Sequence, residues 1–427
     1  MFESQLFRNY LLSDQGFFLK ELSKHFQVTI WTEPSMSELI QKNLSSFGLK
    51  DIRISVFNPL PESFLTRVFG FYLKWALIDT GTKVALETRY LNNEISKYGR
   101  LLRNCLWQSK FQKKLISKFA RIGYSLSVQL AHHKLSKHLK IWNIEKLFVT
   151  SATNLAFDVP LAILAKRQGA KTYLTVRSWD NLSLHGILRF SPDLFLAQSL
   201  YMSKLAIQNH YLSKSQVKQI PSITYRDSWA PHSRKNSKRK LVVYAAGGIR
   251  TSPDEKVFLQ QLLDFWLQKL DYFDLIILQH PAEVNADVSQ RYLRSGLSVK
   301  KFDYCRDSLP TYYAFLAEAS IVICAGSTVI LDAIFCRREV ALVGFESPEV
   351  PYWKSSLRSF DMRPHTRDLL KLSQINVCKS FNELREKIEN AVLQLQPVKV
   401  YPDRVFEILG LGSSDFNAEI ISVLEDF

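Results

Sequence analysis

Four small residues, Ala325-Gly326-Ser327-Thr328, close an apolar run and open directly into a helical pattern. A helix that starts this way leaves backbone N–H groups unpaired in its first turn, with the positive end of the helix dipole behind them. Together with the hydroxyls of Ser327 and Thr328, those donors suit an anion such as a diphosphate. The ordinary alternative is an N-cap, since Ser and Thr favour that position in any helix. The stretch has neither a GK[ST] ending nor a GxGxxG pattern, so P-loop and nicotinamide readings lose their best support. Asp332 lies four residues beyond Thr328, one turn along the same helical face. A carboxylate there could accept from ribose hydroxyls, or simply sit solvated or in a salt bridge.

Other polar groups also stand at the ends of apolar runs. Gly247, Gly248 and Arg250 follow Leu241 to Ala245. A Gly pair lets backbone approach a ligand closely, and Arg250 could neutralise a phosphate; a tight strand–helix turn would use the same glycines. His280-Pro281 follows Leu275 to Leu278. His280 could donate to a leaving phosphate oxygen, or serve as a structural hydrogen-bonder. Arg177-Ser178-Trp179-Asp180-Asn181-Leu182-Ser183 follows Thr172 to Val176. Asp180, or His185, could act as general base on an acceptor hydroxyl, while Asn181 better suits an Asx turn. No GxSxG elbow supports Ser-His-Asp hydrolysis.

The elements that must hold these residues repeat a simple rhythm. Val28 to Trp31, Ile52 to Phe57, Leu147 to Thr150, Thr172 to Val176 and Leu194 to Ala197 read as strands, with a helix over Asp158 to Gln168 ending at Gly169. In the second half, strands are expected at Leu241 to Ala245, Leu275 to Leu278, Leu297 to Phe302, Ile321 to Cys324 and Val340 to Gly344. Helices fall between them, from Pro253 to about Leu270, from Pro310 to Ala319 and from the Ser327 turn to Phe335. Strands alternating with helices imply parallel sheets covered on both faces. The polar, basic, Pro-containing stretch 226–240 (RDSWAPHSRKNSKRK) reads as a linker. The expected architecture is therefore α/β: a doubly wound domain over 1–225, the linker 226–240, and a second doubly wound domain over 241–427. Ligands would bind at carboxyl ends of strands, in the cleft where the two domains face each other.

At 427 residues and 46% hydrophobic, the chain can build more than one large core. Its charge, 56 − 40 = +16, favours partners that carry phosphate. Eleven Lys and Arg, and no Asp or Glu, fall within 97–140. There Leu102, Leu106, Phe111, Leu115, Phe119, Ile122 and Leu126 define one helical face, and Arg103, Lys110, Lys114 and Arg121 lie largely on another. One expectation is a helix packed on the core through its apolar face with the basic face solvated. The other is an anionic membrane under this domain. No recognisable nucleic-acid module accompanies the segment, so nucleic acid is not expected. Five scattered Cys without CxxC spacing suggest neither zinc nor a disulfide framework, and Cys324 and Cys336 read as buried thiols. With no signal-peptide pattern at Met1 and no run of spanning length, the expectation is a cytoplasmic protein that can rest on the inner face of a membrane.

Ser178-Trp179-Asp180-Asn181-Leu182-Ser183, Gln279-His280-Pro281 and the stretch Ser320 to Phe345 together resemble glycosyltransferases of the GT-B fold. The likeness is to transferases of bacterial surface-polysaccharide synthesis and their relatives, the CDP-glycerol glycerophosphotransferases and UDP-N-acetylglucosamine 2-epimerases. It covers Leu147 to Phe345 and is faint elsewhere; Asp stands at 332 where Glu is commoner. The resemblance implies that Gly326, Ser327 and Thr328 bind a donor diphosphate, with His280 beside the phosphates or sugar and Asp332 on the ribose; Gly247, Gly248 and Arg250 join the donor side on the residue reading above. It also implies a nucleotide-sugar as co-substrate, no metal or separate cofactor, and a saccharide or lipid-linked acceptor. Transfer of a polyol phosphate from a CDP-polyol is the alternative reaction, and a non-catalytic membrane or nucleic-acid binding protein on the same scaffold is the non-enzymatic one.

Overall fold

Short β-branched and aromatic runs become parallel strands, and the helices between them supply the crossovers that parallel pairing requires. The computed structural model describes residues 8–76, 110–135, 143–151, 157–184, 186–231, 240–247, 255–280, 298–303, 306–325, 328–345, 369–371, 375, 377–393, 400–410 and 415–426. They form two compact units, one of Met1–Thr224 with Gly410–Phe427, the other of Tyr225–Leu409.

In the first unit, β1 (Thr29–Thr32) pairs in parallel with β2 (Arg53–Val56). A separate parallel sheet runs β3 (Lys146–Val149), β4 (Lys171–Leu174), β5 (Leu194–Ala197) and β6 (Val217–Gln219) in that order. The expected helix between β3 and β4 spans Asp158–Arg167, and every residue from Asp158 to Ala165 is buried. Gly169, at φ +94°, stops it as the sequence suggests. Ile30, Tyr173, Leu196 and Phe416 share one apolar cluster, so both sheets close on a common core. A cavity of ≈ 780 Å³ lies between β1 and β3, lined among others by Ile30, Trp31, Phe148 and Val149.

The second unit holds a six-stranded sheet, all parallel: β7 (Lys240–Ala245), β8 (Phe273–Leu278), β9 (Ser298–Lys300), β10 (Ala319–Cys324), β11 (Glu339–Val343) and β12 (Val377–Cys378). Their order is β12-β11-β10-β7-β8-β9. Helices Glu255–Leu267, Leu309–Glu318, Val329–Phe335 and Phe381–Leu393 join these strands or follow them. Pro310 stands in the first turn of the second of these as expected, and Ser308 caps it, its hydroxyl accepting from the Thr311 N–H at 3.3 Å. Cys324, Cys336 and Cys378 are buried free thiols.

Two expectations about organisation differ from the structure. The chain from Gly410 returns to the first unit, so 241–427 is not a single body. The reason is the helix Phe416–Asp426, whose Phe416, Ile420, Val423 and Leu424 complete the first core. Lys146 donates to the Leu424 carbonyl, and His25 meets Glu425 at 2.7 Å. At the other boundary, Tyr225 to Trp229 is already structure of the second unit: Tyr225 packs on Phe335, and the Arg226 guanidinium lies over the Trp229 ring. Residues 232–239 of the expected linker lie outside the described residues.

The basic helix also differs. It spans Lys110–Ala131, but Leu115, Phe119, Ile122 and Leu126, the face expected to meet the core, are exposed. Ser117, Ala120, Tyr124, Ser127 and Val128 are buried instead. Small residues let this face approach the helix Phe64–Ala76 closely. Thr66 bonds Ser127 at 3.1 Å, and a Cβ at Gly123 would overlap the Phe69 ring. Arg121, assigned to the solvated basic face, is half-buried and turns inward to donate to the Leu188 carbonyl at 2.8 Å and to that of His210. Burial lowers its pKa to about 10, so it remains a cation at neutral pH. Arg121→Met should therefore cost about 2–4 kcal/mol in chemical denaturation, because two buried carbonyls lose a charged donor; an unchanged midpoint would show that the clamp is dispensable. Leu102, Leu106 and Arg103 lie outside the described residues.

Candidate functional site

Strand order in the second unit reverses between β7 and β10. The chain builds β7, β8 and β9 outward in one direction, then resumes with β10 on the other side of β7. In open parallel sheets ligands bind outside the carboxyl ends of the strands at such a point. Ala245, Leu278 and Cys324 are in register across β8, β7 and β10. The residues that follow each of them emerge at one edge, with neighbouring strands roughly 5 Å apart. The ladder runs one residue further, with Ala246 N–H on the Leu278 carbonyl and Gln279 N–H on that of Lys300, both at 2.9 Å. Gly247 and His280, just beyond, are half-buried. Thr328 is exposed at the head of the helix Val329–Phe335, and its side chain makes no capping hydrogen bond. Gly248, Arg250, Gly326 and Ser327 lie outside the described residues, as does His185.

Asp332 sits one turn along that helix, half-buried. Its two oxygens accept from the phenols of Tyr225 and Tyr312 at 3.0 and 2.9 Å. Burial, then the Asp332 charge, pushes the Tyr225 phenol well above its usual pKa, which keeps it a donor. The carboxylate thus ties the helix to Leu309–Glu318 and to the first residues of the unit, whatever else it meets. Tyr313 stacks edge-on against Phe335 beneath it, at 4.8 Å between centroids.

The polar loop after β4 lies in the first unit. Asn181 Oδ1 accepts from the Ser178 N–H at 3.2 Å, and the Ser183 hydroxyl donates to the Asp180 carbonyl at 3.1 Å. These bonds bend Asn181–Leu184 into one helical turn. Trp179 is buried and Asp180 half-buried, with its carboxylate 3.5 Å from Asn181 Nδ2. Two buried side chains fix the loop at either end. Gln198 Nε2 donates to the Val176 carbonyl at 2.8 Å and to Thr175 Oγ1 at 3.1 Å, while its Oε1 accepts from Ile223 N–H. His210 accepts from the Leu188 N–H on Nδ1 at 3.1 Å, which leaves Nε2 protonated to donate to the Leu182 carbonyl at 2.7 Å. That tautomer is neutral, and burial lowers the imidazole pKa to about 3.

No protein-family model matches the chain, and no curated protein matches it. Among solved structures, Staphylococcus aureus MnaA with UDP is 10% identical over 98% of this chain and 95% of that one, with a TM-score of 0.51. Neisseria meningitidis UDP-GlcNAc 2-epimerase bound to UDP-GlcNAc is 12% identical over 100% and 97%, at 0.49. Arabidopsis thaliana UGT89C1 with UDP is 9% identical over 95% and 94%, at 0.48. The first likeness, spanning both units, decides the fold. The chain has the GT-B fold. Its candidate groups divide between the two Rossmann-like units of that fold: Gly247, His280, Thr328 and Asp332 in the second, Asp180 in the first.

Sequence reasoning missed Tyr225, Tyr312, Gln198 and His210, and placed Arg121 on the solvated face. Each acts across 22 or more positions of sequence or between two elements, where periodicity carries no signal. Tyr312 alone had one, an aromatic on a helix that the sequence already placed before β10.

Proposed function

We propose that the protein is a glycosyltransferase that moves a sugar from a nucleotide-sugar to a surface-polysaccharide or lipid-linked acceptor. The observation that carries this reading is the strand-order reversal between β7 and β10, which falls where Gly247 and Ala325 to Thr328 follow their strands. In this reading Gly326, Ser327 and Thr328 hold the donor diphosphate, Gly248 and Arg250 approach it from the β7 end, His280 flanks it and Asp332 meets the ribose. Helix dipole and basic side chains, rather than a bound metal, stabilise the departing nucleotide. Asp180 or His185 takes the proton from the acceptor hydroxyl, which then attacks the anomeric carbon as the sugar–phosphate bond breaks. UDP held by the solved neighbour MnaA supports a nucleotide-linked donor; the acceptor and the inner-leaflet location rest on the basic 97–140 segment.

A thermal-shift panel of UDP-, GDP- and dTDP-sugars with CDP-glycerol tests it. A true donor at about 100 times its Kd should add about 2.7 kcal/mol of stability. Ser327→Ala with Thr328→Ala should weaken that donor at least tenfold, since about 1.4 kcal/mol of lost phosphate contact suffices. Unchanged affinity would remove the donor assignment; stabilisation by CDP-glycerol alone would replace sugar transfer with polyol-phosphate transfer.

A further inference from the structure

The helix Lys110–Ala131 carries its large apolar residues on the outside. Leu115, Phe119, Ile122, Leu126 and Leu130 recur at three- and four-residue steps and form one stripe about 22 Å long. Phe119 is 64% exposed and Leu130 72%, whereas Tyr124 on the opposite face is fully buried. The partner helix Phe64–Ala76 adds Phe64, 74% exposed, and Leu65. Thr66 bonds Ser127, which brings this pair to the Leu126–Leu130 end of the stripe. A helix in a water-soluble fold ordinarily buries such a stripe. Here Ser117, Ala120, Gly123 and Ser127 take the inward positions, and the core has no use for the leucines and phenylalanine.

Charge decides what suits this surface. Neither helix contains an Asp or Glu. Lys114 and Lys118 flank the stripe, with Lys134 beyond its end and Arg67 on the partner helix, all exposed. Glu62, close by, is neutralised by Arg189 at 2.8 Å. Exposed apolar side chains flanked by cations fit the interface of a bilayer with anionic headgroups: the chains enter the acyl boundary and the ammonium groups remain among the phosphates. A protein partner would need an acidic face around an apolar groove, and a nucleic acid would leave Phe119, Leu126 and Leu130 in water. We infer that the outer face of the helix pair Phe64–Ala76 and Lys110–Ala131 is a docking surface for an anionic phospholipid bilayer.

This deepens the reading of a membrane-held acceptor, yet it can be tested without donor or turnover. The full chain is sedimented with vesicles of phosphatidylcholine containing phosphatidylglycerol, and with phosphatidylcholine alone. Binding should be confined largely to the anionic vesicles and should weaken at high salt. The double variant Phe119→Ser, Leu126→Ser should weaken it about tenfold or more at an unchanged melting temperature, since both side chains are already exposed. Lys114→Glu with Lys118→Glu should do the same. Equal binding to neutral vesicles, no sedimentation, or sedimentation that neither variant alters overturns the inference. So does self-association or RNA binding abolished by the stripe variant in a chain that ignores vesicles. Donor stabilisation in the thermal-shift panel is unaffected by any of these results, so the two readings fail separately.

Discussion

Replacing Gly410 with alanine should unfold the first unit's C-terminal attachment, and this is the largest single-residue effect expected in the molecule. Gly410 has φ +70°, a left-handed conformation that costs an L-residue about 1 kcal/mol. The greater cost is steric. A Cβ at this position would overlap the backbone carbonyl oxygen of Gln198, and backbone cannot swing aside. The Gly410 carbonyl also accepts from Ser222 N–H at 3.0 Å, so the turn is held from both sides. Moving it displaces the start of Phe416–Asp426 and with it Phe416, Ile420 and Leu424, which sit in the core beside Tyr10 and Phe18. It also disturbs Gln198, whose amide holds the Val176 carbonyl just before Ser178 to Ser183. A loss of about 4 kcal/mol or more is expected, at the upper end of point substitutions. Gly169→Ala supplies the control: φ is +94°, but a Cβ there meets nothing within 4 Å. That variant should lose only about 1 kcal/mol. Equal urea midpoints for the two variants would show that the contact with Gln198 is not what fixes the turn.

The contrast between these glycines marks what the sequence could reveal. Gly169 was legible because its effect is local: it follows a helical pattern and stops it. Gly410 was not, because its constraint comes from Gln198, far away along the chain. The same division runs through the fold. Nearly every expected strand lies within two residues of its observed position, since β-branched runs bounded by polar turns announce themselves. The strands β6 and β12 are only three and two residues long and have no such run. At the candidate site, the strand–small-residue–helix junction was legible, and so was the one-turn spacing from Thr328 to Asp332. The phenols of Tyr225 and Tyr312 were not, because only folding brings them to one carboxylate. Helical periodicity in Lys110–Ala131 located an apolar face correctly but could not say where it points. The opposite face is built of Ser, Ala and Gly, and close backbone approach through small residues substituted there for burial of large ones. A stripe that reads as core in one dimension is surface in three.

That helix is also linked to the candidate acceptor loop, and the link makes the first unit sensitive to mild acid. Arg121 on the helix donates to the carbonyls of Leu188 and His210, and His210 in turn spans Leu182 and Leu188. The loop Ser178 to Leu188 is therefore clamped by one cation and one neutral imidazole. Protonating His210 would put a charge on Nδ1, which now accepts from an N–H, and would place that charge, fully buried, near Arg121. Its pKa is accordingly about 3 in the folded chain, against 6.5 for the free side chain. The sign follows from linkage: below pH 6.5 the unfolded chain takes up a proton that the native one refuses, so stability is full above that pH and falls as pH drops towards 3. Each pH unit in this window costs about 1.4 kcal/mol, and the whole descent is on the order of 5 kcal/mol. Carboxylates titrate mostly below pH 4.5, and His132, whose pKa burial also lowers, adds to the slope, so most rather than all of the decline between about pH 6.5 and 4.5 belongs to His210. Urea midpoints of the intact chain across that range should drop steadily, by about 2–3 kcal/mol in all. His210→Gln, which cannot titrate, should be less stable at pH 7.5 but nearly flat from there to 4.5. A variant that kept the wild-type slope would place the acid lability in another group and leave His210 a structural bridge only.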